Sequence, residues 1–271
     1  MRADVAPEQG ARVRSLQDRR SGRELLYRRA DDGWDADNYL PVLAGGWDQM
    51  FPNDDVWLNW PVHGTLWSAA FTVVEASPVA ATLRCSLQEP PVDVEHRYEL
   101  LAAPRAGVRL TTTVHARAPA GPFLWATHPM LSVAPGWRIA VGDATLEADR
   151  LDPGRVPPGP VNAAAREAVL SLPTPSQGWQ EVIYAQAAGE ASVESRDARS
   201  RTRVRWDESF FRHLWIVTLS GFESVDLALV LEPCTTKPYR LDEAIATAQA
   251  ETLDAGAKRT FWSEVESLDA T

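Results

Sequence analysis

Alternation between apolar and polar residues is the dominant pattern along the chain. Within residues 107–117, Val108, Leu110 and Val114 alternate with Arg109 and His115, as expected for a strand that buries one face. The same alternation, or a short apolar run between turn residues, predicts further strands at 69–75, 79–87, 92–101, 181–187, 202–206, 213–219 and 225–231. The chain is therefore predicted to consist mainly of β-strands.

Helical patterns are scarce. The best helix candidate is 241–253, where Asp242 is a suitable N-cap and Gly256 follows the last turn. Twenty prolines and many short strands at regular spacing favour a sandwich or barrel over a βαβ array. Because no internal repeat or low-complexity linker divides the sequence, residues 1–271 are predicted to form a single domain.

Composition and charge exclude several classes of function. The 271 residues carry a net charge of −10, which disfavours contact with nucleic acid or an anionic membrane surface. Cys85 and Cys234 give no disulfide framework, and neither they nor the five histidines have the spacing of a metal site. The usual motifs of nucleotide binding, serine hydrolysis and zinc proteolysis are absent. The first residues lack the apolar stretch of a secretory signal, so a cytoplasmic location is expected.

Two histidines lie in segments unlike ordinary strands or turns. A Gly-Gly pair opens the segment 45–54 and allows close approach of the backbone to a ligand, and His63 follows in a loop before Gly64. The apolar segment 123–130 reaches His128, and the proline after it is expected to end regular strand pairing. Both histidines are candidate site residues.

A glutamate occupies a comparable position late in the chain. The apolar strand that begins at Leu227 delivers Glu232 immediately before Pro233. An unpaired carboxylate among apolar neighbours is costly and its pKa rises, so this residue type is unexpected in a merely structural position. A histidine such as His128 and a carboxylate such as Glu232 can form a general acid–base pair if they meet in space.

These segments, taken in order, resemble the galactose mutarotase-like (aldose 1-epimerase) superfamily. The similarity begins near Gly10 with GARVRSLQD and SGRELL, and continues through GGWDQMFP, the His63-Gly64 loop, WATHP and LEPCT as far as Trp262. The resemblance implies an all-β fold, a β-supersandwich of large antiparallel sheets with few short helices, whose concave face holds a sugar. It further implies that the protein interconverts the α and β anomers of an aldose without a metal or an organic cofactor.

The resemblance also assigns roles. His128 corresponds to the general acid that protonates the ring oxygen, Glu232 to the general base at the anomeric hydroxyl, and His63 to a residue that hydrogen-bonds the sugar. The Asn-Arg pair of better-known members is replaced here, and Asp48 and Asn53 are the candidates to bind hydroxyls in its place. No arginine-rich loop accompanies the motifs, so a neutral aldose is expected rather than a sugar phosphate.

Tryptophan is unusually frequent, with 11 residues, and indoles serve equally as core filler and as platforms for sugar rings. Four lie in or near the motifs and are candidates to stack on a pyranose: Trp47, Trp67, Trp125 and Trp215. Asp54 and Asp207 are further candidates to bind hydroxyls. The arginine cluster at 196–205 is interpreted instead as a solvated strand face.

Two other functions remain open from the sequence. The altered motifs are compatible with a sugar-binding protein of the same fold that has no catalytic activity. A glycoside hydrolase or lyase needs two carboxylates that flank the scissile bond. Glu232 would then act with Asp48, Asp54 or Asp207.

Overall fold

The computed structural model describes residues 1–29, 34–35, 37, 45–175, 178–186, 189–222 and 225–269. Its strands are β1 (Arg2–Ala6), β2 (Arg12–Gln17), β3 (Trp47–Met50), β4 (Thr72–Ala76), β5 (Ala80–Ser86), β6 (Val92–Leu100), β7 (Ala106–Ala116), β8 (Ala120–Phe123), β9 (Ala126–Leu131), β10 (Arg138–Ala140), β11 (Leu146–Ala148), β12 (Gly159–Pro160), β13 (Trp179–Ala185), β14 (Glu190–Glu194), β15 (Arg201–Trp206), β16 (His213–Phe222), β17 (Val225–Cys234), β18 (Glu251–Leu253) and β19 (Lys258–Ser267). The helices are α1 (Ala163–Val169) and α2 (Leu241–Ala246).

Two large antiparallel sheets form the fold. The first has nine strands in the order β1-β2-β3-β9-β17-β16-β13-β11-β12, and the second has eight in the order β10-β14-β15-β19-β7-β6-β5-β4. One apolar cluster joins Ile216 and Leu229 of the nine-stranded sheet to Val108, Leu110 and Val265 of the eight-stranded sheet. The core therefore lies between two stacked sheets, which confirms the predicted all-β supersandwich.

The predicted strands are present, with ends that differ by at most three residues from those expected. Residue 187, the last of the predicted strand 181–187, lies outside the described residues. The segment 45–54, expected to be irregular, contributes β3 to the middle of the nine-stranded sheet. Among the described residues, no helix is long and apolar enough to cross a membrane.

The helix predictions need correction. The helix expected at 241–253 ends at Ala246, because Ala248 has a positive φ and residues 251–253 pair with β8 as a strand. Its N-cap is Arg240 rather than Asp242, which lies in the first turn. Helix α1 was not expected from the sequence. Asn162 caps it by accepting a hydrogen bond from the backbone N–H of Ala165 (2.9 Å).

The arginine side chains of strand β15 project from the outer face of the eight-stranded sheet, as interpreted from the sequence. Arg203 and Arg205 are partly exposed and stand opposite Glu266 and Glu264 of β19. Arg109 of β7 pairs with Glu264 from the other side (2.7 Å). This ladder of charges neutralises the two glutamates, which are almost completely buried.

Candidate active site

A row of side chains crosses the nine-stranded sheet on the face opposite the core. Strand register pairs Asp48 of β3 with His128 of β9, Glu232 of β17 with Trp215 of β16, and Trp215 with Tyr184 of β13. Between β9 and β17, Val230 pairs with Met130 and Cys234 with Ala126, and this register sets Glu232 directly opposite His128. Residues directly opposite on antiparallel strands project from the same face, so these five side chains form one central row.

A proline follows each of the two opposed residues, Pro129 after His128 and Pro233 after Glu232. Pro129 and Pro233 have no amide hydrogen, and the pairs between β9 and β17 are interrupted over this stretch. The outer neighbours hold both strands in line, because β3 pairs with Pro129 and β16 pairs with Pro233. The expectation that Pro129 ends the strand is therefore wrong, since β9 continues to Leu131.

Asp48 orients the His128 ring. The Nδ1 atom of His128 lies 3.0 Å from Oδ1 of Asp48, and both side chains are buried. Burial opposes charge on His128, but the negative charges of Glu232 and Asp48 outweigh it and raise the pKa of His128 to about 9. Burial likewise opposes ionisation of Asp48, and the charge of His128 reverses that effect, so the pKa of Asp48 is lowered. His128 thus donates Nδ1–H to an ionised Asp48 and is protonated at neutral pH.

Glu232 experiences the opposite balance. It is 2% exposed, and its Oε1 atom has no hydrogen-bond partner among the described residues. Burial raises the pKa of Glu232 to about 8, although the positive charge of His128 opposes the rise. A carboxylate held in this way readily accepts a proton, which is the property of a general base.

His63 reaches the same place from a strained loop. It has a φ of +64°, and its Nε2 atom lies 3.2 Å from Oδ1 of Asp54. The rings of His63 and His128 approach edge to face with centroids 5.0 Å apart. Burial lowers the pKa of His63 despite the nearby Asp54, so His63 is the neutral histidine of the two.

Glycine is required beside this loop and beside β3. A Cβ at Gly64 would lie 2.2 Å from the carbonyl oxygen of Phe51, and one at Gly46 would lie 2.6 Å from that of Val13. The close approach expected of the Gly-Gly pair is thus to the protein's own backbone. The amide of Asn53 donates hydrogen bonds to the carbonyl oxygens of Asp55 (2.6 Å) and Pro61 (2.8 Å), which fixes the loop.

These groups open onto one cavity. Asp54, His63, His128 and Glu232 form its polar side. The remaining lining residues are mostly apolar or aromatic: Gln180, Val182, Trp215, Val217, Leu219, Phe222, Val230 and Tyr239. None of the described lining residues is a lysine or an arginine. Its mixed polar and apolar lining is typical of a site for a small molecule.

Three of the site residues also form a potential metal-binding group. One ligand atom from each of Asp48, His63 and His128 lies within 4.8 Å of the others, a combination that sequence spacing did not reveal. The three residues come from different segments and meet only in the folded chain. Their ring nitrogens and carboxylate oxygens already take part in the contacts of His128 with Asp48 and of His63 with Asp54.

The structure separates the four candidate tryptophans. Trp215 lines the cavity, and its Nε1–H donates a hydrogen bond to the carbonyl oxygen of Thr236 (2.9 Å). Trp47 and Trp125 lie in the core between the sheets. Trp47 is next to Asp48 in β3 and therefore projects from the opposite face of the sheet, and Trp125 lies in the connection just before β9. Trp67 is 1% exposed and lies beneath the His63 loop, where Nε1–H donates to the carbonyl oxygen of Gly64 (2.9 Å).

The candidate hydroxyl ligands are also corrected. Asp48 holds His128, and Asn53 is fully buried in the loop, so neither lines the cavity. Asp207 follows β15 in the other sheet and accepts hydrogen bonds from the backbone and hydroxyl of Ser209. Of the acids proposed from the sequence for this role, only Asp54 lines the cavity.

The comparisons with known proteins agree with this architecture. The sequence matches no protein-family profile and no curated protein. Among solved structures, it is similar to a proposed aldose 1-epimerase from Escherichia coli K12 (TM-score 0.74, 16% identity, 99% of this chain and 96% of that chain). It is also similar to a galactose mutarotase-like protein from Clostridium acetobutylicum (0.73, 14%, 99% and 92%) and to an aldose epimerase homologue from C. elegans (0.68, 10%, 99% and 96%). The chain therefore has the galactose mutarotase-like fold.

Proposed function

We propose that this protein is an aldose 1-epimerase-like enzyme that interconverts the anomers of a neutral sugar. The observation that carries the proposal is the placement of His128 and Glu232 directly opposite each other, with both side chains lining one cavity. The pKa of each group is raised, and that of His128 is the higher, so His128 is still protonated where Glu232 ionises. This pairing is what ring opening of a cyclic hemiacetal requires.

The proposed reaction uses two proton transfers. Nε2–H of His128 protonates the ring oxygen while Glu232 removes the proton from the anomeric hydroxyl, so the bond between C1 and the ring oxygen breaks and C1 becomes a carbonyl. Rotation about the C1–C2 bond presents the other face of the carbonyl. The hydroxyl formed from the former ring oxygen then attacks C1 and returns its proton to His128. The carbonyl oxygen takes the proton from Glu232 and becomes the hydroxyl of the other anomer. Protons and electrons balance over the cycle, and no other reagent is consumed.

The neighbours support these roles. Asp48 holds Nδ1 of His128 and so fixes the orientation of its ring, while His63 and Asp54 line the same cavity and are placed to hydrogen-bond sugar hydroxyls. Trp215 supplies a flat apolar surface next to Glu232. Two acidic residues at the cavity, and no lysine or arginine among its described lining residues, favour a neutral aldose over a phosphorylated one.

Anomer exchange measured directly tests the proposal. Freshly dissolved α-glucose and α-galactose, followed by polarimetry or by saturation-transfer NMR, are expected to equilibrate faster with the protein than with buffer alone. If a panel of neutral aldoses shows no acceleration although a sugar quenches tryptophan fluorescence, the protein is a binding protein without this activity. Release of reducing ends from an oligosaccharide would instead support hydrolysis by Glu232 and Asp54.

A further inference from the structure

The cavity extends along the sheet in one direction from the central row. Two residues along each strand from that row lie Val230, Val217 and Val182, which pair with one another across β17, β16 and β13. All three line the cavity, as do Leu219 and Phe222 further along β16. We call Val182, Val217, Leu219, Phe222 and Val230 the apolar wall.

The other direction is bounded by a buried cluster, and Tyr239, which packs against that cluster, also lines the cavity. Two residues along from His128 and Glu232 on that side lie Ala126 and Cys234, which are fully buried and packed with Met50, Leu124 and α2. Neither lines the cavity. A ring held between His128 and Glu232 therefore extends its substituents over the apolar wall.

The distances fit a six-membered ring. Side chains two residues apart on one strand are roughly 6.8 Å apart, so a pyranose centred on the central row reaches the next row with a ring substituent. Gln180 is the one described wall neighbour with a hydrogen-bonding side chain at that end. A hydroxyl placed against the valines would lose its hydration without a partner, whereas a methyl group would gain contacts.

We propose that the substrate is a neutral 6-deoxyhexose whose methyl group packs against the apolar wall. The proposal rests on the proposed function for the position of the ring. It also accounts for the absence of lysine and arginine among the described lining residues, since neither a phosphate nor a carboxylate is to be recognised.

Matched sugars that differ only at C6 test the proposal: D-fucose with D-galactose, D-quinovose with D-glucose, and L-rhamnose with L-mannose. In any pair that is accelerated, kcat/KM for the deoxy sugar is expected to exceed that of its partner by about 10- to 100-fold. Ratios within about threefold, or a preference for the hydroxylated sugar, would overturn the inference while leaving the epimerase function in place.

A variant of the wall provides a second readout. Val217→Thr keeps the shape of the side chain but replaces one methyl group with a hydroxyl, so the deoxy preference is expected to fall by about tenfold. Val73→Thr, on an exposed position of edge strand β4, is the matched control and should leave the ratio unchanged. An unchanged ratio in Val217→Thr would remove the wall from substrate selection.

Binding separates the two proposals. Tryptophan fluorescence titrations of Glu232→Gln with the same sugar pairs report the preference without any turnover. If no sugar is accelerated by the unmodified protein but the deoxy sugars bind more tightly, the epimerase function fails and the inferred ligand class stands. If no sugar of the panel binds, both proposals fail.

Discussion

The molecule buries glutamates in the middle of both sheets, and their surroundings are opposite. Glu264 of β19 is completely buried, yet arginines from the neighbouring strands and from the loop before β7 hydrogen-bond its oxygens. Burial opposes its ionisation, but the hydrogen bonds from Arg105 and Arg109 prevail, and the pKa of Glu264 is lowered. Glu232 of β17 has no arginine partner, keeps one oxygen without a hydrogen bond among the described residues, and has a raised pKa.

This difference distinguishes a structural carboxylate from a reactive one. A carboxylate that is fully paired contributes to stability and has little tendency to take a proton. One that is buried beside a single histidine is costly to ionise, and its stored free energy is available for proton transfer. The same residue type therefore has different chemistry in the two sheets because the neighbouring strands supply different partners.

Exchanging each glutamate for glutamine gives the largest expected effect. Glu232→Gln removes the base and should lower the rate of anomer exchange by about 10²- to 10⁴-fold. Glu264→Gln should leave that rate nearly unchanged but lower the free energy of unfolding by on the order of 2 kcal/mol, because Arg109 and Arg205 lose their hydrogen bonds to an ionised carboxylate. Saturation-transfer NMR and denaturant unfolding of both variants make the comparison. Full activity in Glu232→Gln would remove this residue from the base role.

The stability of Glu232→Gln provides the control for misfolding. The pKa of Glu232 is raised from 4.5 to about 8 in the folded protein, so the folded state holds this proton more tightly than the unfolded state. Stability due to this group is present below pH 4.5 and is lost as the pH rises through 8. Glu232→Gln lacks that loss, and its Tm at pH 8 should equal or exceed that of the unmodified protein.

The pH dependence of activity follows from the two site groups. The reaction needs ionised Glu232, whose pKa is about 8, and protonated His128, whose pKa is about 9. We expect a bell-shaped kcat/KM profile with its maximum between these values. Because activity falls tenfold for each unit below the lower pKa, the rate at pH 6 should be about 100-fold below the maximum. A profile that is flat between pH 6 and 9 would contradict the assignment of both groups.

Asp48→Asn tests whether Asp48 acts through His128. Loss of the negative charge should lower the pKa of His128 and move the alkaline limb of the profile to lower pH. Because fewer molecules then carry the proton near pH 8.5, the rate there should fall by about 10- to 100-fold. A merely structural role would reduce the rate without moving the limb. Asp37→Asn, an exposed change elsewhere in the chain, is the matched control.

The sequence was informative where one segment carries the signal. His128 and Glu232 were predicted from short apolar strands that deliver a polar residue, and the alternation in β7 predicted that strand within one residue. The sequence was uninformative where the role of a residue depends on the face of the sheet from which its side chain projects. Trp47 and Asp48 are adjacent, and a step of one residue separates the core from the site.

The apolar wall was missed for a related reason. Strand β17 is apolar on both faces, so its periodicity does not tell Val230, which lines the cavity, from Leu231, which packs in the core. The pairing of Asp48 with His128 joins residues 80 positions apart. Such a contact depends on the order of strands in the sheet, which local sequence patterns do not contain.

Metal removal gives the smallest expected effect. It tests whether Glu232, unlike Glu264, lacks a permanent positive partner in the active protein. A divalent ion held by Asp48, His63 and His128 would place a positive charge near Glu232, as the arginines do for Glu264 in the other sheet. It would also keep His128 unprotonated and so unable to act as the acid. We therefore expect that dialysis against a chelator leaves the rate of anomer exchange unchanged. Elemental analysis should find no stoichiometric metal in the unmodified protein, and the metal content of Asp48→Asn should be the same. Loss of activity that Zn²⁺ or Mn²⁺ restores would show that the active protein holds a metal ion and that the proposed acid–base pair does not describe it.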